Sequence, residues 1–365
     1  MGAVSVLIKP VSGACDMNCT YCFYRDEMKC RATADFGEMS EQTLKNVIRR
    51  TLPCADTVAS FAFQGGEPTL RGLDFFRKAV MFEKQYNSRG VRVINALQTN
   101  AQSLDEEWCR FLHDEDFIVG VSLDGTRDIN DLYRRRNDGG SAFDRTFSSI
   151  KLLEKFGVRY NILTVVTDEL CRAVDEVYDF YRTSGFEYQQ YVACISPLCD
   201  DNDDCRREYL SPGAYGSFLI SLFRLWKSDY LKGKAPSIRM FDNYIALLHG
   251  CRPESCEQNG VCGEHYVAEA DGSVFPCDFY VLDGWRLGNL NTDRLDSLDR
   301  ARRKARFAET SLQSETCLDC RYFRLCRGGC RRNRDRDTGR NRFCESYRAF
   351  FDCCLDELRS LAHMN

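Results

Sequence analysis

The sequence predicts an α/β chain, a partial (β/α)6 TIM-like barrel with its helices outside, followed by a small cysteine-rich domain. Three observations carry this. From about residue 4 to about residue 195, short apolar runs alternate with helix-length amphipathic runs. After residue 250 the apolar periodicity fades. The chain also holds 21 cysteines in 365 residues, and they crowd its C-terminal third.

The elements follow in order. Val4–Lys9, Ser60–Gln64, Val91–Gln98, Ile118–Leu123, Arg159–Val166 and Glu187–Ile195 read as strands, rich in Val, Ile, Phe and Tyr and too short for independent helices. Ser40 can cap a helix whose apolar face includes Leu44, Val47 and Ile48. Gly157 and Gly185 stand where helices should stop. A long helix is expected from Ser211 and Pro212 to an exit near Gly233, with Phe218, Leu219, Leu222, Phe223 and Trp226 on its core face. His265–Tyr280 reads as a hairpin around Asp271-Gly272. The expected division is a barrel over 1–235, a cysteine-rich domain over 236–348 and a terminal helix over 349–365. A segment so poor in core residues needs another source of stability, which metal clusters would supply.

Composition narrows the function. A net charge of −4 offers no electrostatic case for nucleic acid or an anionic membrane. The basic run Arg331, Arg332, Arg334 and Arg336 reads as a solvated face or a contact to acidic partners. No stretch approaches a membrane span and no signal peptide is evident, so a cytoplasmic protein is expected. Clustered cysteines in a reducing compartment point to metal or redox chemistry rather than disulfides.

Cys15, Cys19 and Cys22 follow the first strand with three and then two residues between them. Three thiolates are one short of a closed site, and an open metal position is where a site binds substrate. The alternative is a three-cysteine zinc site completed by a distant histidine. After the second strand comes Gly65-Gly66-Glu67-Pro68, where glycines permit close backbone approach and a carboxylate can accept from an ammonium. Ser122 and Asp124 end the fourth strand, and hydroxyl plus carboxylate suits a ribose diol. Together these residues resemble the radical S-adenosylmethionine (SAM) superfamily. The resemblance implies a 4Fe-4S cluster on the three cysteines and SAM on its open iron. One electron then cleaves SAM to a 5′-deoxyadenosyl radical. It also implies that Tyr21 and Ile195 are SAM-binding positions.

Cys317, Cys320, Cys326 and Cys330 have two, five and three residues between them, and Cys344 lies thirteen residues beyond Cys330. Cys256, Cys262 and Cys277 lie upstream. The pattern resembles the SPASM extension with two auxiliary 4Fe-4S clusters. That resemblance implies one cluster on Cys256, Cys262, Cys277 and Cys330 and another on Cys317, Cys320, Cys326 and Cys344, three clusters in all. Two four-cysteine zinc sites are the alternative.

Closer still, Leu7-Ile8-Lys9-Pro10, Thr20 to Tyr24, Phe61 to Leu70, Gln98-Thr99-Asn100, Gly272 to Tyr280, Trp285 to Asn289 and Cys326 to Cys330 resemble the anaerobic sulfatase-maturating enzymes. That family oxidises a cysteine or serine of a client sulfatase to Cα-formylglycine. The resemblance implies Asp278, beside Cys277, as the base, Tyr24 and Gln64 at the substrate, and Arg239 at a peptide carbonyl or the SAM carboxylate. It implies as partners a client sulfatase segment and a strong reductant such as flavodoxin or ferredoxin. Two positions depart from the family: Ala101 replaces a common glycine and Asn130 a common histidine. A SPASM maturase that crosslinks a ribosomal peptide would share all three clusters. Such maturases often carry an extra N-terminal recognition domain, for which the early cysteine triplet leaves no room. A non-catalytic iron–sulfur or zinc protein would need neither the glycine-rich loop nor the open site.

Overall fold

The computed structural model describes residues 2–198, 209–308 and 314–364. Its strands are β1 (Ala3–Ile8), β2 (Val58–Phe63), β3 (Arg92–Thr99), β4 (Ile118–Ser122), β5 (Arg159–Val166), β6 (Tyr188–Ala193), β7 (Ser237–Ile238), β8 (Tyr266–Ala268), β9 (Ser273–Phe275) and β10 (Gly288–Asn289). The six strands expected from sequence are β1 to β6, with ends shifted by at most two residues. Two compact units are evident: Met1–Ser122 with Tyr133–Tyr160 and Glu264–Phe307, and Leu123–Leu132 with Asn161–Gly263 and Ala308–Asn365.

In the first unit β1 to β4 pair in parallel, in sequence order. Helices α1 (Phe23–Lys29), α2 (Glu41–Thr51), α3 (Leu73–Tyr86) and α4 (Glu106–Asp114) connect them. Ser40 caps α2, its hydroxyl accepting from the Thr43 amide at 3.0 Å. Leu44, Val47 and Ile48 are buried as the spacing requires. Phe63, Phe76 and Trp108 build an aromatic core, with ring centroids 5.0 Å apart in each successive pair. On the other side of β1 lies β8, also parallel, followed by antiparallel β9 and β10. The hairpin turns at Gly272, whose φ of 85° is open to glycine and strained for other residues. The sequence showed the hairpin; its docking on β1 came from the structure. A parallel pair with no local turn leaves no pattern to read.

In the second unit β5, β6 and β7 pair in parallel. The helix Pro212–Tyr230 is capped by Ser211, and its Phe218, Leu219, Leu222, Phe223 and Trp226 are all buried. Val174–Ser184 ends at left-handed Gly185, as expected. Cys344–Ala362 forms the last long helix, burying Phe350, Phe351, Leu358 and Leu361. Among the described residues no helix is long and apolar enough to cross a membrane.

Candidate active site

The loop after β1 carries Cys15, Cys19 and Cys22, all half-buried. It is tied down from one side by the segment after Tyr133: the Asn18 and Thr20 amides donate to the carbonyls of Arg135 and Tyr133 at 2.8 and 3.2 Å. From the other side comes the end of β3, where Asn100 Nδ2 donates to Asp16 Oδ1 at 2.7 Å. Sulfur is itself a target: the Met17 amide and Asn100 Nδ2 approach Cys15 Sγ at 3.4 and 3.7 Å. Tyr21, half-buried, accepts from Arg134 at 3.2 Å.

Gly65 and Gly66 have φ of 106° and 55°. A Cβ on Gly66 would stand 2.0 Å from the carbonyl oxygen of Ala14, so only glycine lets the β2 exit loop meet the cysteine loop. Buried Glu67 organises the junction. Its Oε1 accepts from the Thr69 amide and hydroxyl at 3.0 and 2.7 Å and from the Thr99 hydroxyl at 2.7 Å, and its Oε2 from the Asn100 amide at 2.7 Å. Burial pushes the Glu67 carboxyl up from its ordinary value, against the pull of these donors. Ala101 keeps the left-handed turn (φ 61°) that a glycine would make without strain. Ser122 Oγ accepts from Gln98 Nε2 at 2.9 Å.

Across the same unit, buried Asp278 meets Tyr24 and Gln64. The Tyr24 hydroxyl donates to Asp278 Oδ2 at 2.6 Å, and Gln64 Nε2 reaches Tyr24 Oη at 2.9 Å and Asp278 Oδ2 at 3.0 Å. Asp278 Oδ1 is buried without a hydrogen-bond partner. Burial raises the Asp278 carboxyl, and nearby Lys9 lowers it. Behind them lies a charge network that sequence reasoning missed. Lys9, 1% exposed, bridges Glu27 at 3.2 Å and Glu269 at 3.0 Å, and Arg31 meets Glu269 at 2.9 Å. The Lys9 ammonium also lies 4.8 Å from the Tyr24 ring centroid. A signal existed: Glu269 directly follows the apolar run Tyr266-Val267-Ala268, and a charge there requires a buried partner.

In the second unit Asp124 is 2% exposed, and its Oδ1 accepts from the Val165 amide at 2.9 Å. Asn130 Oδ1 accepts from the Asp124 amide at 3.2 Å, so the unexpected asparagine holds the turn of the residue it follows. Ile195 is half-buried beyond the end of β6. Arg239 is engaged by Gln190 at 3.0 Å and Glu254 at 3.5 Å. The C-terminal cysteines fall into two electrostatic neighbourhoods. Cys330 feels Cys256 and Cys262, whereas Cys326 feels Cys344, Cys317 and Cys320. Burial first pushes both thiols up to about 12; Glu257 and then Cys256 and Cys262 add to it at Cys330, and Cys344, Cys317 and Cys320 add to it at Cys326. Cys277 belongs to the first unit, directly before Asp278. Of the cysteines given no role, Cys109, Cys171, Cys194 and Cys354 are buried, and Cys199 and Cys205 lie outside the described residues.

These donor sets fit iron–sulfur clusters. Thiols driven neutral by burial and mutual repulsion become thiolates when a cationic centre is bound, and grouped thiolates are what such clusters use.

The comparisons agree. Residues 10–181 match the Radical SAM superfamily and residues 256–321 the SPASM iron-sulfur cluster-binding domain. The cysteine-type anaerobic sulfatase-maturating enzyme of Clostridium novyi (strain NT) is 40% identical over 99% of this chain and 98% of its own. The serine-type enzyme of Klebsiella aerogenes is 31% identical over 97% and 86%. The solved structure of native anSMEcpe with bound AdoMet and Cp18Cys peptide superposes with a TM-score of 0.93, at 38% identity over 99% of both chains. The mixed α/β fold is therefore a radical SAM core with a C-terminal SPASM domain, and SAM and iron–sulfur clusters are its cofactors. A crosslinking maturase and a non-catalytic carrier are thereby set aside. This chain belongs to the anaerobic sulfatase-maturating enzymes, a family of radical SAM oxidoreductases.

Proposed function

We propose that this enzyme oxidises the active-site cysteine of a client sulfatase to Cα-formylglycine, with Asp278 as the base. One observation carries the reading. Asp278 Oδ2 is fixed by Tyr24 and Gln64 at 2.6 and 3.0 Å, and its Oδ1 is buried with its lone pairs unused. Cysteine is favoured over serine by 40% identity to a cysteine-type relative against 31% to a serine-type one.

Cys15, Cys19 and Cys22 would hold the SAM-cleaving cluster, with Gly65, Gly66 and Glu67 at the SAM amino group, Ser122 and Asp124 at the ribose, and Tyr21 and Ile195 completing the pocket. Cys256, Cys262, Cys277 and Cys330 would hold one auxiliary cluster and Cys317, Cys320, Cys326 and Cys344 the other. When bound, these groups supply a 5′-deoxyadenosyl radical that takes hydrogen from Cβ of the target and a cluster that accepts the electron then released. The chain's own contribution is acid–base. Asp278 Oδ1 takes the thiol proton while Tyr24 and Gln64 hold the carboxylate still, and the resulting thioaldehyde hydrolyses to the aldehyde. Tyr24 and Gln64 thus act through Asp278 as well as lining the substrate cavity. The client would present an unfolded or nascent segment in the cytoplasm, and flavodoxin or ferredoxin would reduce the SAM cluster.

The test uses anaerobically reconstituted protein, dithionite, SAM and a peptide bearing Cys-x-Pro-x-Arg, read by mass spectrometry. The parent should yield formylglycine, and Asp278→Asn should keep SAM cleavage while losing about 100-fold or more of the oxidation, the scale of a missing general base. SAM cleavage with an unaltered peptide would overturn the assigned substrate. Oxidation at the parental rate in the variant would overturn the base.

A further inference from the structure

Tyr24 sits in the first turn of α1, two residues after Cys22, and Asp278 opens the turn after Cys277. The two sides belong to segments more than 250 residues apart in sequence, joined at the site by the Tyr24–Asp278 hydrogen bond. Phe23 and Phe279 pack across the same gap with ring centroids 4.8 Å apart, Asp283 accepts there from the Ala32 amide at 2.7 Å, and Glu27 spans it as well. Glu27 lies one turn after Tyr24 on α1 and is 1% exposed. Its Oε1 accepts from the Val281 amide at 2.8 Å, three residues after Asp278, and its Oε2 accepts from Lys9 Nζ at 3.2 Å. Lys9 in turn bridges Glu269, which β8 brings to the end of β1, where the Lys9 amide donates to the Ala268 carbonyl at 2.8 Å. Lys9 needs only one carboxylate to balance its charge and already bridges Glu269, and nothing in the chemistry of hydrogen abstraction or proton transfer calls for Glu27 beside it. Burying one is costly unless its contacts serve the fold or the site.

We propose that Glu27 is a positioning residue that clamps the Asp278 turn to α1, so that the base is registered against the cluster whose ligands precede that helix. The inference rests on Asp278 being the base. Glu27 touches neither substrate nor cofactor. It acts through the backbone at Val281, and its loss leaves Asp278 in place chemically but mobile by the fraction of an ångström that proton transfer does not tolerate.

The prediction is a loss of coupling rather than of radical generation. Glu27→Met keeps the volume and removes both acceptors. Glu27→Gln keeps an acceptor for the Val281 amide. Glu27→Asp keeps the charge for Lys9 but is one methylene too short to reach both partners. Each holoenzyme is first checked for the parental iron content. The readouts are formylglycine formed per 5′-deoxyadenosine released, and hydrogen exchange at the Val281 amide in the protein without peptide. Glu27→Met should cleave SAM within about twofold of the parent while the ratio falls about tenfold or more, with Val281 protection lost. Glu27→Gln should recover most of both. If Glu27→Met does not take up iron, Glu27→Asp carries the test, with a ratio several-fold below the parent. An iron-replete Glu27→Met or Glu27→Asp protein with the parental ratio overturns the clamp, as does a lowered ratio with Val281 protection intact. Asp278→Asn run alongside separates the two ideas. A lost ratio there with a parental ratio in the Glu27 variants sinks the clamp alone, and a parental ratio in Asp278→Asn sinks the base on which it rests.

Discussion

The carbonyl of Ala14 accepts from the Glu67 amide at 2.8 Å, and that short link joins the glycine-rich loop to the loop bearing Cys15. Gly66 makes it possible. An added methyl would stand 2.0 Å from the Ala14 carbonyl oxygen, a backbone atom that cannot swing aside, and φ of 55° is itself strained for alanine by about 1–2 kcal/mol. Gly66→Ala should therefore open the junction, lowering 5′-deoxyadenosine release by about tenfold or more while the eight C-terminal cysteines proposed as cluster ligands remain intact. Release at the parental rate would show that the junction is not needed. Ala101, by contrast, already occupies a left-handed turn at φ 61°, so glycine is not required there. Its neighbours explain how the turn survives: the Ala101 amide donates to Thr99 Oγ1 at 3.0 Å and its carbonyl accepts from Ser149 Oγ at 2.7 Å.

Between α3 and β3 sits a buried acid with no catalytic part to play. Glu83 Oε2 accepts from Asn95 Nδ2 at 2.8 Å, while Glu83 Oε1 and Asn95 Oδ1 are both buried without partners. Protonation would give Glu83 a proton to donate, and the amide oxygen of its partner Asn95 lacks a donor. Burial, against the Asn95 hydrogen bond and with Glu115 repelling and Lys84 attracting, raises the Glu83 carboxyl to about 7. A folded-state value above the unfolded one means that the native chain binds the proton more tightly. Its stabilising share is full below about pH 4.5 and is lost as pH rises through about 7, a change of about 3 kcal/mol. Glu83→Gln supplies an N–H in place of the acid O–H, so the melting temperature at pH 8 should rise relative to the parent, with little difference at pH 5. An unchanged difference between the two pH values would refute a neutral Glu83. Elements of this kind also mark how far the sequence could be read. Strands β1 to β6, the Ser40 and Ser211 caps and the Gly272 turn were legible because period, cap and turn chemistry are local. The β1–β8 pairing, and with it the meeting of Lys9 and Glu269, was not, because a parallel contact spanning some 260 residues leaves no local trace.

At the scale of the whole molecule, the cysteines divide stability unevenly. The first unit rests on Phe61, Phe63, Phe76, Leu97, Val119 and their buried neighbours, an apolar core that needs no metal to cohere. The stretch from Ser314 to Phe343 is different. Its regular structure is limited to two four-residue helices and a three-residue turn, and its buried apolar side chains are few: Tyr322, Leu325 and Phe343. Arg334 helps, its guanidinium donating to the carbonyls of Gly260 and Gly329 at 2.9 and 2.7 Å, and Asn341 Nδ2 donates to Gly328 at 3.1 Å. These contacts organise a loop without supplying the burial that holds a fold, whereas four thiolates on one cluster would close it covalently. Cys320→Ser should thus leave about eight of about twelve irons per chain. Protease should then cut within 314–343 while the first unit stays protected and 5′-deoxyadenosine is still released. If Cys320→Ser keeps its full iron and its protease resistance, the stretch is held by its hydrogen bonds alone. If it loses SAM cleavage as well, the effect of Cys320 is not confined to this stretch.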